Sequence, residues 1–156
     1  MRLYYAPGAC LLAVHIALRE IEATFDNVAV DLTKHTTADG ADFHAISPRG
    51  YVPFPQLDDG SRHTEAASLL PYVADLDPAQ TLIGGGPGSA RRLAVVGSLI
   101  FVSTELYRSL SPWLRPKKTA DSTRQAVKDK LATRFAELDA LRPGVQQALR
   151  AEELVK

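Results

Sequence analysis

The chain has 156 residues, of which 46% are hydrophobic and 23% charged, a composition typical of a globular protein with one compact unit or two small ones. Lysine plus arginine equal aspartate plus glutamate at 18 each, so no net positive charge attracts nucleic acid. No apolar run approaches the roughly 20 residues that span a bilayer, and no secretory leader pattern is present. We therefore expect a cytoplasmic protein with no nucleic-acid or membrane partner.

The chain begins with an apolar strand, Arg2–Tyr5, which breaks at Pro7-Gly8 before the only cysteine, Cys10. A helical pattern starts at Cys10, so the thiol faces the first-turn amides and the positive end of the helix dipole, which favour the thiolate. A lone cysteine is equally typical of a small buried core residue. Position alone leaves both interpretations open.

Strand and helix patterns then alternate. The helix that follows Cys10 is apolar on most sides up to Ile21, which indicates packing against a sheet. Phe25–Leu32 has the period of two of a half-buried strand, so a parallel pair with a right-handed crossover is predicted. A polar loop, 33–40, and a short helical piece, 41–46, lead to a turn at Ser47–Gly50.

The next segment, Tyr51–Leu57, is apolar and extended, and Asp58-Asp59-Gly60 predicts a hairpin that returns through Arg62–Thr64. Glu65 then opens a helix that ends at Asp77-Pro78. Pro53 cannot donate to a sheet ladder, so it marks a sheet edge, a bulge or a cis bond. The order strand, helix, strand, helix, proline-led hairpin, helix is that of a thioredoxin-like fold.

The second half of the chain is helical. A glycine-rich linker precedes one helix over 89–110 and a second over 121–141, while Arg142-Pro143-Gly144 predicts a break before a last helical piece at 145–150. We expect a first domain at 1–78, a linker at 79–88 and a helical domain at 89–156.

Five separated motifs resemble the bacterial beta class of glutathione S-transferases: Tyr5–Cys10, Val30–Leu32, Ile46–Pro53, Leu57–Gly60 and Thr64-Glu65. The resemblance covers the N-terminal half and continues more weakly through 103–106 and 131–140. It implies an α/β plus all-α fold, with a thioredoxin-like N-terminal domain (βαβαββα) and a reduced all-helical C-terminal domain. It also implies a dimeric transferase that uses glutathione as co-substrate and no metal.

The resemblance also implies roles for individual residues. Glu65 would bind the γ-glutamyl ammonium, and the backbone N–H of Ala66 would donate to the γ-glutamyl carboxylate. The main chain of Val52, before a cis Pro53, would pair with the cysteinyl unit, and His35 would contact the glycyl carboxylate. The remaining candidates are Cys10 and Tyr5 as catalytic residues and Tyr107 and Arg108 as lining of a pocket for a small hydrophobic electrophile. Without these roles, Glu65 would simply favour the helix dipole and His35 would be a solvated loop residue.

The chain departs from the beta-class pattern in ways that keep a second function open. Leu11 replaces the usual serine after the cysteine, and Tyr107-Arg108 replaces the usual His-Lys pair. The resemblance implies that several helices that normally follow position 141 are deleted. Two readings follow: a transferase in which Cys10 can also exchange with glutathione disulfides, or a catalytically impaired binding or protein-interaction module of the same fold. The four histidines show no metal-ligand spacing.

Overall fold

A computed structural model describes residues 1–7, 12–52, 54–79, 82–110, 112 and 119–153, with 141–153 described by backbone alone. The chain divides into two compact units, Met1–Val96 and Gly97–Lys156. Cys10, Leu11 and Pro53 lie outside the described residues, so the roles assigned to them stay predictions, as does the division into domains at 78 and 89.

The first unit is built on a four-stranded mixed sheet with strand order β3-β2-β1-β4. Its elements in chain order are β1 (Arg2–Tyr5), α1 (Leu12–Glu20), β2 (Asp26–Asp31), β3 (Thr36–Thr37), α2 (Phe43–Ile46), β4 (Phe54–Gln56) and α3 (Ala66–Asp75). β1 is parallel to β2 and antiparallel to β4. The predicted strand–helix–strand crossover with a parallel pair is therefore confirmed.

Alternation along β1 creates two cores. Successive side chains of a strand point to opposite faces of the sheet. Leu3 packs with Val14, Leu18, Leu69 and Val73 from α1 and α3. Tyr4, on the other face, belongs to a second buried cluster whose other members are Val30, Phe43 and Phe54.

The polar loop predicted at 33–40 contains a short strand that the sequence pattern missed. β3 runs antiparallel to β2, with Thr37 opposite Val30. Thr37 is buried, and its hydroxyl donates to the carboxylate of Asp39 and, at 3.2 Å, to the carbonyl of Ala41. A polar residue becomes a buried sheet residue here because its hydroxyl is hydrogen-bonded.

The predicted hairpin is present, but its return strand is reduced to a single bridge between Gln56 and Arg62. The N–H of His63 donates to the carbonyl of Pro55 at 3.1 Å. In a strand the N–H and C=O of one residue point the same way, so Pro55 cannot return this bond. Proline therefore limits the hairpin ladder and leaves the β1–β4 ladder intact.

The helices of the second half begin as predicted. α4 (Ala90–Phe101) passes into a π-helical turn, Val102–Tyr107, and a 3₁₀ turn, Arg108–Leu110. The last helix, α5, spans Asp121–Glu153. The predicted break at 142–144 is wrong, because a proline removes one helical hydrogen bond and the helix continues on both sides of it.

The helical segment Ala90–Leu110 is long and apolar enough to cross a membrane, by length and composition only. The expectation that no segment approaches that length is wrong here. Its charges are confined to Arg91 and Arg92 near the start and to Glu105 and Arg108 near the end, so the middle is apolar. Only 6% of its apolar window is buried, and a single helix of this kind is weak evidence for a membrane.

We predict that α1 stabilises the fold through its buried side only. Leu18 is fully buried in the α1–α3 core, whereas Leu12, on the same helix, is 61% exposed. Leu18→Ala is expected to lower the free energy of unfolding by about 2–5 kcal/mol, because it removes buried methyl groups and leaves a cavity. The matched Leu12→Ala should change it by about 0.5 kcal/mol or less. Urea unfolding followed by circular dichroism compares the two, and equal losses would contradict the observed packing.

Candidate functional site

The ends of three strands meet at one edge of the sheet. β1 and β2 are parallel and end at Tyr5 and Asp31, and the antiparallel β4 begins at that same edge, just after Val52. Ligands of open α/β sheets bind outside the carboxyl ends of parallel strands. This edge is therefore where we place the candidate site.

The hairpin brings Glu65 to this edge. Gln56 lies opposite Arg62, and His63 bonds to Pro55, so the register runs back along β4 toward its start. Tyr5 at the end of β1 and Ala66 at the start of α3 also pack against the same buried cluster. The N-terminus of α3 thus joins the strand ends.

Glu65 is held in a strained backbone conformation, with φ 70° and ψ 103°. Its carbonyl accepts the N–H groups of Ser68 and Leu69 at 3.0 and 3.1 Å, which fixes it as the N-cap of α3. Its side chain makes no capping bond and is exposed, and no ion pair holds it within the described ranges. First-turn amides have no helical partner, so the N–H groups of Ala66 and Ala67 are left for an external acceptor. Such strain costs about 1–3 kcal/mol and persists at functional sites.

His35 lies on the loop that leaves β2 and also has a positive φ, 53°. The carboxylate of Asp31 accepts the N–H groups of Lys34 and Thr33, and these bonds hold its pKa below the ordinary value. The carbonyl of His35 accepts the N–H of Phe43 at 2.8 Å. Local hydrogen bonds thus fix the path of the loop on both sides of His35.

The ring of His35 stacks on that of His44, with centroids 4.2 Å apart and planes 36° from parallel. Both rings rest against Gly50, where a Cβ would lie 2.8 to 2.9 Å from their atoms. Gly50 itself has φ 63°, so both its conformation and its lack of a side chain are needed. Sequence reasoning missed His44, and the only signal for it was the glycine in the Ser47–Gly50 turn.

Tyr5 and Val52 lie on different cores. Tyr5 is partly buried against the α1–α3 cluster, with its ring 6.2 Å from that of His15. Val52 is partly buried against the Phe43–Phe54 cluster. Packing therefore fixes both residues at the edge, whereas a catalytic role for Tyr5 stays a prediction.

Tyr107 and Arg108 belong to the second unit. Tyr107 ends the π-helical turn and is 48% exposed, and the backbone N–H of Arg108 donates to the carbonyl of Ser103. π-Helical turns are rare and occur frequently at functional sites. Both side chains are accessible, and their proposed role as pocket lining stays a prediction.

Glu105 anchors the same turn to α5. Its carboxylate lies 3.1 Å from the ammonium of Lys130 and 3.0 Å from the guanidinium of Arg134. Hydrogen bonding and attraction to Lys130, with a smaller contribution from Arg134, hold the pKa of Glu105 below its ordinary value. Within the described ranges, no group of three or more His, Cys, Asp or Glu side chains could hold a metal ion.

No protein-family model matches this chain. Curated relatives do match it, including the following two. Glutathione S-transferase GstA of Escherichia coli O157:H7 is 40% identical over 116 residues, which cover 74% of this chain and 57% of GstA. Glutathione S-transferase GST-4.5 of Xanthomonas campestris pv. campestris is 33% identical over 147 residues, which cover 90% of this chain and 69% of the relative. The chain thus spans little more than half the length of GstA.

Solved structures agree. A ternary complex of BphK, a bacterial transferase, superposes with a TM-score of 0.83 at 42% identity, covering 90% of this chain and 70% of that one. A sphingomonad glutathione S-transferase complexed with glutathione superposes with a TM-score of 0.81 at 38% identity. The match covers 90% of this chain and 69% of that one. The beta-class glutathione S-transferase of Sphingomonas chungbukensis superposes with a TM-score of 0.79 at 35% identity, and the match covers 90% of this chain and 69% of that one. The predicted thioredoxin-like domain followed by a helical region is confirmed.

We predict that the Glu105 ion pairs make the helical unit acid-sensitive. A carboxyl with a lowered pKa in the folded state stabilises above its unfolded pKa, and this contribution is lost as pH falls through the folded value. Between pH 6 and pH 3 the melting temperature of the wild type should therefore fall more steeply than that of Glu105→Gln. Thermal melts followed by helical circular dichroism test this, with Asp129→Asn as a control carboxylate on α5. Parallel curves for wild type and Glu105→Gln would contradict it.

Proposed function

Since this chain belongs to the glutathione S-transferase family, we propose that it binds glutathione at the edge where β1 and β2 end and adds the glutathione thiolate to small hydrophobic electrophiles. The glutathione complex of the sphingomonad relative, at 38% identity, supports the ligand. The proposal rests most heavily on one observation, the strained and exposed Glu65 at the start of α3.

Glu65 and the start of α3 suit the γ-glutamyl end of glutathione. That end carries an ammonium and a carboxylate side by side. The free carboxylate of Glu65 binds the ammonium, and the N–H of Ala66 donates to the carboxylate with the support of the helix dipole. The strained backbone of Glu65 keeps its carboxylate and the N–H of Ala66 side by side before the ligand arrives.

The other end of the tripeptide extends along the sheet edge. Val52 precedes β4, and its main chain pairs with the cysteinyl unit as a short added strand, next to Pro53. His35, on the loop after β2, then meets the glycyl carboxylate. These contacts place the glutathione sulfur toward the segment between Tyr5 and α1, which carries Cys10.

The chemistry proposed is nucleophilic substitution. Glutathione loses its thiol proton to solvent, helped by Tyr5, Cys10 and the positive end of α1. The thiolate then forms a sulfur–carbon bond with an aryl halide, and the halide leaves with the bonding electrons. Tyr107 and Arg108 line the pocket for the electrophile. Leu11 offers no hydroxyl to the sulfur, so we expect slow turnover.

The same site supports thiol–disulfide exchange. The Cys10 thiolate attacks glutathione disulfide, forms a mixed disulfide and releases one glutathione thiolate. We predict that oxidised glutathione adds one glutathionyl group to wild-type protein and none to Cys10→Ser. Intact-protein mass spectrometry before and after a reducing agent measures the adduct. An unmodified Cys10 would contradict exchange and leave conjugation unaffected.

A second function is a glutathione- or apolar-ligand-binding module without turnover. One observation favours it: Tyr107 stands where the resemblance places a histidine. The first unit holds every proposed glutathione contact, so binding does not require the electrophile pocket.

We propose a cytoplasmic homodimer with neither nucleic acid nor membrane as partner. No side chain of α4 is fully buried, and Leu93 is 74% exposed, so a second copy of the chain would remove an apolar surface from water. Sedimentation equilibrium would give the mass of the assembly, and a monomer would contradict the dimer.

We predict that Glu65→Ala raises the KM for glutathione about 10- to 100-fold in conjugation of a chloronitrobenzene, because it removes a charge-assisted hydrogen bond to the ammonium. Glu22→Ala is the matched control. Glu22 is likewise an exposed glutamate with positive φ, 54°, but lies in the turn after α1. It should leave KM unchanged.

Calorimetric titration with glutathione separates the two functions. Turnover that Glu65→Ala weakens supports the transferase. Binding that Glu65→Ala removes, with no turnover in the wild type, supports the binding module. A wild type that shows neither binding nor turnover would overturn the proposed site.

A further inference from the structure

The rings of His35 and His44 contact each other. The proposed glutathione contact uses only one of them, His35, so it does not explain this contact. The ring centroids lie 4.2 Å apart, with the planes tilted by 36°. No group of three or more possible metal ligands lies within the described ranges, so the pair is not part of such a cluster there. Two rings this close are coupled electrostatically, because a proton on one ring disfavours a proton on the other.

One nitrogen of the pair is sealed from solvent. Nδ1 of His35 is buried and has no hydrogen-bond partner within the described ranges. It faces Gly50, where it lies 2.9 Å from the position a Cβ would occupy. An unprotonated nitrogen without a partner costs less than an N–H without one, so the buried edge suits a neutral ring whose proton is on Nε2. Nε2 is then the donor left for a ligand, and a carboxylate bound at Nε2 offsets part of the cost of a second proton on Nδ1.

Resting on the proposed function, we infer that His35 and His44 form a proton-linked contact for the glycyl carboxylate, so that glutathione binds with uptake of a proton and its affinity falls as pH rises. The glycyl carboxylate adds a negative charge beside His35, which offsets the repulsion between two charged rings and favours the protonated form of His35. His35 touches the ligand, and His44 acts through it as a positioning residue.

Other charges around the pair nearly balance. Asp31 attracts a proton toward His35, and its own carboxylate is already engaged by two backbone N–H groups. Asp42 accepts the N–H of His44 at 2.9 Å. The charged side chains on the segments that carry or contact the two rings are Asp31, Lys34, Asp39, Asp42, Arg49 and Arg62. None of the six is a histidine, and histidine is the residue type whose ordinary pKa lies nearest to neutral pH.

S-Methylglutathione is the probe for the test, because it has no thiol whose own ionisation would add protons to the balance. Its glycyl amide, which lacks only the glycyl carboxylate, is the reference. Titration calorimetry at pH 6, 7 and 8, in two buffers of different ionisation enthalpy, measures both affinity and protons taken up. The affinity of the wild type for the probe should fall about five- to tenfold from pH 6 to pH 8, with measurable proton uptake on binding. Its affinity for the amide should not change with pH.

Variants assign the effect to the two rings. The affinity of His35→Lys for the probe should change little between pH 6 and pH 8. For His35→Gln, the dependence of affinity on pH should be the same for the probe and the amide. His44→Phe keeps a ring on His35 but removes the competing charge, so the fall in affinity should move to higher pH. His63→Gln, on the exposed hairpin, should behave as the wild type.

The outcomes separate this inference from the proposed function. A probe that binds the wild type equally at pH 6 and pH 8 overturns the inference alone. A profile unchanged in His44→Phe, or lost in His63→Gln, overturns it too. No binding of either ligand at any pH overturns the glutathione site and the inference with it. Melting temperatures of every variant within a few degrees of the wild type show that the differences come from the site.

Discussion

Strand β1 is the element on which the first unit depends. It is central in the sheet, parallel to β2 on one side and antiparallel to β4 on the other. Leu3 packs on one face and Tyr4 on the other, so two separate cores are anchored through adjacent residues. The same pairing brings the end of β1, the end of β2 and the start of β4 to one edge. Packing and site geometry therefore have a single origin.

That edge is where the backbone is strained. His35 and Glu65 are non-glycine residues with positive φ, and Gly50 has positive φ with two rings against it. Only one other non-glycine residue in the described ranges, Glu22, has a positive φ. Strain of this kind is tolerated where the surrounding structure enforces it. Here the hydrogen bonds from Phe43 to His35 and from Ser68 and Leu69 to Glu65 enforce it.

Periodicity and turn chemistry predicted much of this fold because the decisive signals are local. The alternation of Arg2–Tyr5, the apolar helix after it and the Asp59-Gly60 turn each identify an element without knowledge of its neighbours. Position Glu65 was also predictable, since it follows a hairpin and opens a helix. Its conformation was not, because propensity assigns a glutamate to negative φ.

The failures have a common cause, which is tertiary context. Thr37 entered a strand because β2 offered it an edge, and α5 continued through Pro143 although a local pattern predicted a stop. The stacking of His44 on His35 depends on two loops that meet at Gly50, and no spacing in the sequence encodes it. A pattern that is read one segment at a time does not contain contacts between segments.

In the proposed function, binding and turnover depend on different units of the chain. Every described residue proposed to hold glutathione lies in the unit Met1–Val96, whereas Tyr107 and Arg108 lie in Gly97–Lys156. The proposed contacts with the tripeptide use charges and amides that the sheet edge positions by itself. Acceleration of the reaction needs a second, apolar surface that holds the electrophile in line with the sulfur, because orientation contributes a large share of the rate. In the proposed function, a change in the second unit therefore lowers turnover for an electrophile before it lowers affinity for glutathione.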